Sequence, residues 1–219
     1  RRFRELGVRL KRAEIIADEA DDIGRAVVDA SQRYDIVITT GGVGPTHDDI
    51  TMAAIAQAFE VDLTRHPVLL GLIEEFFGDN ATDAHRRMAD APEGSITVGE
   101  ARRPWPTVRY KNIYILPGIP KLMQAKFNTF APELAGPPGY IGAIEVRGFE
   151  AEICDPLNAV VNASPEVEIG SYPRRVDGVW FIRLTIDGQA RDKVEAAQEA
   201  LVTALGERVL EIEPVVATG

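Results

Sequence analysis

The chain has 219 residues, with 24 Lys+Arg against 34 Asp+Glu and a formal net charge of −10 at pH 7. That balance argues against a surface that tracks nucleic-acid phosphates, which draws its affinity from clustered Lys and Arg. No apolar run approaches the roughly 20 residues that span a bilayer, and one cysteine excludes an internal disulfide. A cytoplasmic protein with no nucleic-acid or membrane partner is expected. The length suits one medium domain plus one small one.

Residues 1–7 read as the last turn of a helix stopped by Gly7, because basic residues favour a helix C-terminus. Residues 8–16 are expected to form a strand. The acidic residues 18–22 suit a helix start, and Ile23, Ala26, Val27 and Ala30 follow at helical spacing. Residues 35–40 are a short apolar run ended by Gly41-Gly42, the pattern of a strand buried on both faces of a parallel sheet. Asp48 or Asp49 is expected to open a helix with Met52, Ile55, Ala56 and Phe59 on its apolar face.

Further along, His66-Pro67 opens a helix that stops near Gly78, and another covers residues 81–89. Residues 95–98 and 112–116 read as strands, and Pro120 suits the first turn of the helix that follows. The Gly/Pro-rich residues 135–139 are the clearest linker. After it the pattern becomes strand (141–148), helix (151–162), strands (167–172 and 179–186), helix (190–205) and a last strand (208–212). This divides the chain into an α/β domain, residues 1–138, and a small α+β domain, residues 139–219.

The chemistry concentrates in Thr39-Thr40-Gly41-Gly42-Val43-Gly44-Pro45-Thr46-His47-Asp48-Asp49-Ile50-Thr51. Glycines directly after a strand let the backbone approach a ligand and present N–H donors to an anion at the next helix N-terminus. Two carboxylates beside such a site repel the anion unless they hold a divalent cation, and Mg²⁺ is commonly held by one or two carboxylates plus phosphate oxygens. The spacing is neither a Walker A loop nor a Rossmann fingerprint. A tight turn with an ordinary acidic cap is the plain alternative. Cys154 is expected to be a buried, inert thiol.

That segment resembles the signature of the MoaB/Mog molybdopterin-binding domain, in the version found in the CinA (competence/damage-inducible) family and in FAD synthases. Three more segments carry the likeness: Arg87-Met88-Ala89 with Pro92-Glu93-Gly94; Pro117-Gly118-Ile119-Pro120-Lys121-Leu122-Met123; and Pro165-Glu166-Val167-Glu168-Ile169-Gly170-Ser171-Tyr172-Pro173. The resemblance implies a three-layer α/β domain with a mostly parallel sheet, then a small α+β domain. It also implies that the family's first strand precedes residue 1.

For the site, the resemblance implies Asp49, with Asp48, as catalytic carboxylates, and Asp49 as ligand of Mg²⁺ or a similar divalent metal. It assigns substrate and phosphate binding to Thr40, Gly41, Gly42, Val43, Gly44, Thr46 and His47, with Pro117 and Gly118. The activity implied is metal-dependent hydrolysis of a dinucleotide pyrophosphate such as ADP-ribose or FAD. Adenylylation of molybdopterin is the alternative, and a non-catalytic binding module a third. Relatives imply a homo-oligomer, dimer or trimer. Where family members carry a small Gly-rich stretch, this chain has Ala101-Arg102-Arg103-Pro104-Trp105. Trp105 there either stacks on a base or flavin with Arg102 or Arg103 on a phosphate, or is simply a packed residue. An RNA-binding reading of the small domain fails for want of a Gly-x-x-Gly loop, and Arg174-Arg175 reads as a turn.

Overall fold

A computed structural model describes residues 3, 6–99, 105–137 and 139–218. The chain divides into two compact units, one of residues Arg12–Glu133 and one of Arg1–Lys11 with Leu134–Gly219.

In the first unit, α1 (Ala20–Arg33) carries Asp21 and Asp22 in its first turn and Arg33 in its last, matching the helix dipole, and buries Ile23, Gly24 and Val27. Gly24 is there for a close crossing: a Cβ on it would lie 2.9 Å from the Ala58 Cβ, so α1 and α2 (Thr51–Ala58) pack almost backbone to backbone. The strands are short: β1 (Val37–Thr40), β4 (Ile96–Val98), β5 (Thr107–Tyr110) and β6 (Ile113–Leu116) form one sheet in the order β1-β6-β5-β4. A separate ribbon pairs β2 (Leu63–Arg65) with β3 (Asp90–Pro92). Between them lie α3 (Pro67–Phe77), which has Pro at its first turn and Gly78 at its end, and the short α4 (Asp83–Arg87).

The four residues of β6 are all buried and alternate between two helical layers. Ile113 and Ile115 join a core with Ile23, Val27 and Ile55 from α1 and α2. Tyr114 faces the other way and stacks on Phe130 of α5 (Pro120–Phe130), ring centroids 4.8 Å apart. Period-2 side-chain alternation in one buried strand thus produces three layers.

Several expectations are corrected. The sheet is mixed rather than mostly parallel: β1 pairs with β6 in parallel, while β6–β5 and β5–β4 are antiparallel. The cause is a two-residue hairpin, Lys111-Asn112, closed by the pair Tyr110 and Ile113, in which Lys111 takes φ +51. β1 has one partner among the described strands and buries only Val37, so it is not a strand buried on both faces. Residues 8–16 form no strand; they have no ladder partner, and Leu10 and Ile15 are exposed. The expected helix end at residues 1–7 falls mostly outside the described residues, though Gly7 does take φ +66.

The second unit has long strands: β7 (Gly139–Arg147), β8 (Val167–Val176), β9 (Val179–Gly188) and β10 (Val209–Thr218), the last shifting register twice against β7. They form one antiparallel sheet in the order β10-β7-β9-β8. Ile144, Val146, Ile182, Leu184 and Ile186 pack against Ile153 and Val160 of α6 (Glu150–Ala163) and against Val194 and Leu201 of α7 (Arg191–Leu205). The buried Gln198 bonds two strands at once, donating from Nε2 to the carbonyls of Ala143 (3.1 Å) and Glu213 (2.8 Å). Arg174 and Arg175 lie within β8, and the turn is Asp177-Gly178, with positive φ at both. Cys154 is exposed, not buried, on the outer side of α6.

Candidate functional site: a glycine-rich loop stapled by an aspartate

The loop begins where β1 ends. Gly41 donates its N–H to the Leu116 carbonyl (3.0 Å), extending the β1–β6 ladder by one residue. The chain then turns through φ +98 at Gly41 and +62 at Gly42, values that residues with a Cβ rarely adopt. Thr51, the first residue of α2, holds the turn: its hydroxyl donates to the Gly41 carbonyl (2.9 Å) and its N–H to the Gly42 carbonyl (3.0 Å). A Cβ on Gly42 would lie 2.4 Å from the Thr51 Oγ1. Gly42 is therefore specified by two requirements at once, a left-handed backbone and close packing on α2, and Gly41 by its backbone alone.

The second half of the loop closes on Asp49. Its Oδ2 accepts the Thr46 N–H (2.9 Å) and the Thr46 hydroxyl, and the Gly44 main chain also bonds the carboxylate. A Cβ on Gly44 would sit 2.5 Å from that oxygen, so the carboxylate rests directly on the glycine. Partial burial acts to raise the Asp49 pKa, but the bonds from Thr46 and Gly44 outweigh it and hold the carboxyl below its ordinary value. Asp48 is also held low, first by the Thr46 side chain and then by its own backbone. The expectation that Asp48 or Asp49 opens α2 is corrected: Ile50 stands at the N-cap, with no side-chain capping bond. The side chains that would have capped the helix are used to fold the loop.

Gly42, Val43, Gly44, Thr46 and Asp49 line one groove together with Met52, Arg87, Met88 and Asp90. Its volume of about 140 Å³ is well below the roughly 300–1,000 Å³ of pockets that swallow a whole drug-sized ligand. It suits one end or one group of a larger molecule. Thr40 and Gly41 lie at the sheet end of the loop, and Gly118 abuts them: a Cβ there would be 3.3 Å from the Gly41 Cα. Pro117 is half-buried beside it. None of these four lines the groove, nor do His47 and Asp48. His47 is fully solvent-exposed, its Nδ1 3.9 Å from Asp48 Oδ1.

Sequence reasoning passed over Arg87 and Asp90 as groove residues. Arg87-Met88 stood in a motif, but nothing in sequence spacing brings residue 87 to residue 44. Trp105, left open between ligand stacking and packing, packs: it joins the first unit's core and meets Phe76 edge-on, centroids 5.7 Å apart. Arg102 and Arg103 lie outside the described residues.

No group of three or more His, Cys, Asp or Glu among the described residues converges to hold a metal. A carboxylate offers about four lone-pair sites, and the loop already engages three of those on Asp49. The donors therefore do not form a closed protein cage. They fit a cation shared with the phosphates of a ligand, the arrangement usual for Mg²⁺. No helix among the described residues is long and apolar enough to cross a membrane.

A three-layer α/β unit with a glycine loop at the carboxyl end of a strand is the class of protein that binds ligands outside its strand ends. The chain belongs to the family described as "Probable molybdopterin binding domain", whose sequence model matches residues 1–136. A second model, "FAD synthase, middle domain", matches residues 140–213. A protein of Archaeoglobus fulgidus is 30% identical over 202 residues, which cover 92% of this chain and 86% of that one. A "Probable FAD synthase" of Caenorhabditis briggsae is 30% identical over 229 residues, with 92% of this chain matched to 44% of that protein. The structure of "the protein CinA with unknown function" from Thermoplasma acidophilum superposes with a TM-score of 0.53 at 28% identity, covering 58% of this chain and 79% of that one.

Proposed function

We propose that this chain binds a nucleotide at the residue 41–49 loop and hydrolyses the pyrophosphate bond of a dinucleotide of the ADP-ribose or FAD class, with a divalent metal. The observation that carries the reading is the stapled loop itself. Asp49 folds a glycine-rich turn so that Gly42, Val43, Gly44 and the carboxylate itself line one small groove. Amide N–H groups at such a turn favour phosphate oxygens. Likeness to FAD synthases over nine-tenths of the chain supports an adenine dinucleotide as the ligand class.

In this reading the N–H groups of Gly42 and Val43, which the turn does not use, orient the phosphates. The Thr46 hydroxyl holds Asp49 in place, and Asp49, with Asp48, keeps a negative charge where a cation is needed. The two carboxylates would hold a divalent cation there, and that cation would supply charge neutralisation at the phosphoryl oxygens. Water adds to one phosphorus, the bridging P–O bond breaks, and two phosphomonoesters leave. The protein works as a homo-oligomer, dimer or trimer, in the cytoplasm.

The family description favours one second reading, binding or adenylylation of molybdopterin at the same loop. A turnover assay separates the two. ADP-ribose and FAD are incubated with the protein and Mg²⁺, and monophosphate release is followed with and without EDTA. Hydrolysis that needs the metal and disappears in Asp49→Asn supports the hydrolase. No release from either dinucleotide, together with tight molybdopterin binding, transfers the loop to the second reading.

A further inference from the structure

We propose that Arg87 is the cationic wall of the groove, contacting a second phosphate beyond the one held by the loop, so that the site selects diphosphate over monophosphate ligands. The proposal rests on the reading of residues 41–49 as a phosphate loop and names what that loop lacks. Asp49 and Asp90 both line the groove, and Arg87 is its one cationic side chain among the described lining residues. An anion entering a groove with two carboxylates in its wall needs a compensating positive charge, and Arg87, in the same wall, can supply it.

Three ion pairs fix that charge in place. Arg87 Nη1 lies 2.9 Å from Asp83 Oδ2. Asp83 is in turn approached by Arg65 Nη1 at 3.8 Å, and Arg65 Nε lies 3.1 Å from Asp90 Oδ1. Arg65 thus offsets Asp90 and leaves Arg87 with one carboxylate partner, through one of its five N–H groups. Its side chain remains 54% exposed, so the guanidinium fork is free to take a phosphate.

The short α4 that carries Arg87 is pinned along its length. Thr82 and His85 cap it reciprocally, the His85 ring stacks on Phe77 at 3.8 Å, and the neighbouring Arg86 pairs with Glu74 at 3.3 Å. Arg86 and Arg87, adjacent in sequence, therefore point to different partners, and only Arg87 lines the groove. The loop glycines and the guanidinium line the same groove, so a ligand that engages both is matched by two linked phosphates rather than one.

The test is calorimetric titration of inorganic pyrophosphate, ADP-ribose and AMP into wild type, Arg87→Gln, Arg87→Lys and, as control, Arg86→Gln. Loss of a charged hydrogen bond is expected to weaken pyrophosphate and ADP-ribose about 10- to 100-fold in Arg87→Gln. AMP is expected to bind nearly as to wild type, Arg87→Lys to fall between, and Arg86→Gln to match wild type. Unchanged pyrophosphate and ADP-ribose affinity in Arg87→Gln, or an equal loss in Arg86→Gln, overturns the proposal and leaves the loop reading standing. Wild type that binds pyrophosphate through Arg87 but no nucleotide overturns the nucleotide reading and leaves this one. Wild type that binds none of the three overturns both.

Discussion

The two units solve opposite problems with similar materials. The second uses strands of nine and ten residues in an unbroken antiparallel order, covered on one face by two helices. The positive-φ glycines of its sheet-and-helix part, 148, 178 and 206, lie at the ends of elements. The first unit uses strands of three or four residues, and its glycines at 41 and 42 lie between a strand and the helix they pack on. The inner strands of such a ladder pair their backbone groups with their neighbours and leave few to offer a ligand. An irregular turn, held by side chains instead, leaves main-chain groups such as the N–H of Gly42 and Val43 outside any ladder. The candidate site belongs to the unit that is less regular.

That contrast predicts separable failures, and the largest is in the second unit. Leu184 is completely buried in its core, so Leu184→Ala is expected to cost about 2–5 kcal/mol of that unit's stability. Ligand binding at the loop should be unchanged wherever the mutant remains folded. Chemical denaturation followed by Trp180 fluorescence, alongside a binding titration, checks both halves.

Gly42→Ala should do the reverse. It forces a Cβ onto a left-handed backbone and against Thr51, costing more than about 1 kcal/mol locally and displacing the donors. A binding loss much larger than the stability loss is the expected signature, read from titration and melting on one preparation.

A smaller effect concerns Lys126 on α5, whose ammonium donates to the Pro106 carbonyl at 3.0 Å. Burial lowers its pKa from 10.5 to about 8. A base with a folded pKa below its unfolded one leaves the unfolded chain holding more protons between those two values. Stability should therefore rise with pH from about 8 toward 10.5, and Lys126→Met should flatten that rise in denaturation curves recorded across the window. The smallest effect should come from Arg174, which pairs with Glu145 at 2.5 Å on the second sheet. The arginine is exposed, so Arg174→Ala is expected to cost about 0–1 kcal/mol.

What could be read from the sequence follows the same division. Residues 113–116 and the helix after Pro120 were legible because a buried apolar run and a proline at the first turn each have one cause. The second unit's order was legible throughout, since alternation in β9 and helical spacing in α7 reflect one buried face apiece. The antiparallel β5 was not, because its hairpin uses Lys111-Asn112, where the usual signal is a glycine. The strand expected at residues 8–16 had apolar residues but no partner, and pairing is not written in a single segment. The glycines of the loop announced themselves. The staple from Asp49 back to Gly44 and Thr46 did not, because an aspartate before a helix reads equally as a cap. Arg87 reaches the groove through the fold alone.

The central claim is that the stapled loop is an anion site completed by a metal at Asp49. It is tested most directly by titrating ADP-ribose into wild type and Asp49→Asn, each with Mg²⁺ and with EDTA, on protein shown to be folded by circular dichroism. The account predicts measurable affinity for wild type in Mg²⁺, a marked loss on chelation, and little response to Mg²⁺ in the mutant. Equal affinity in all four titrations would contradict it, leaving Asp49 as a staple of the turn and nothing more.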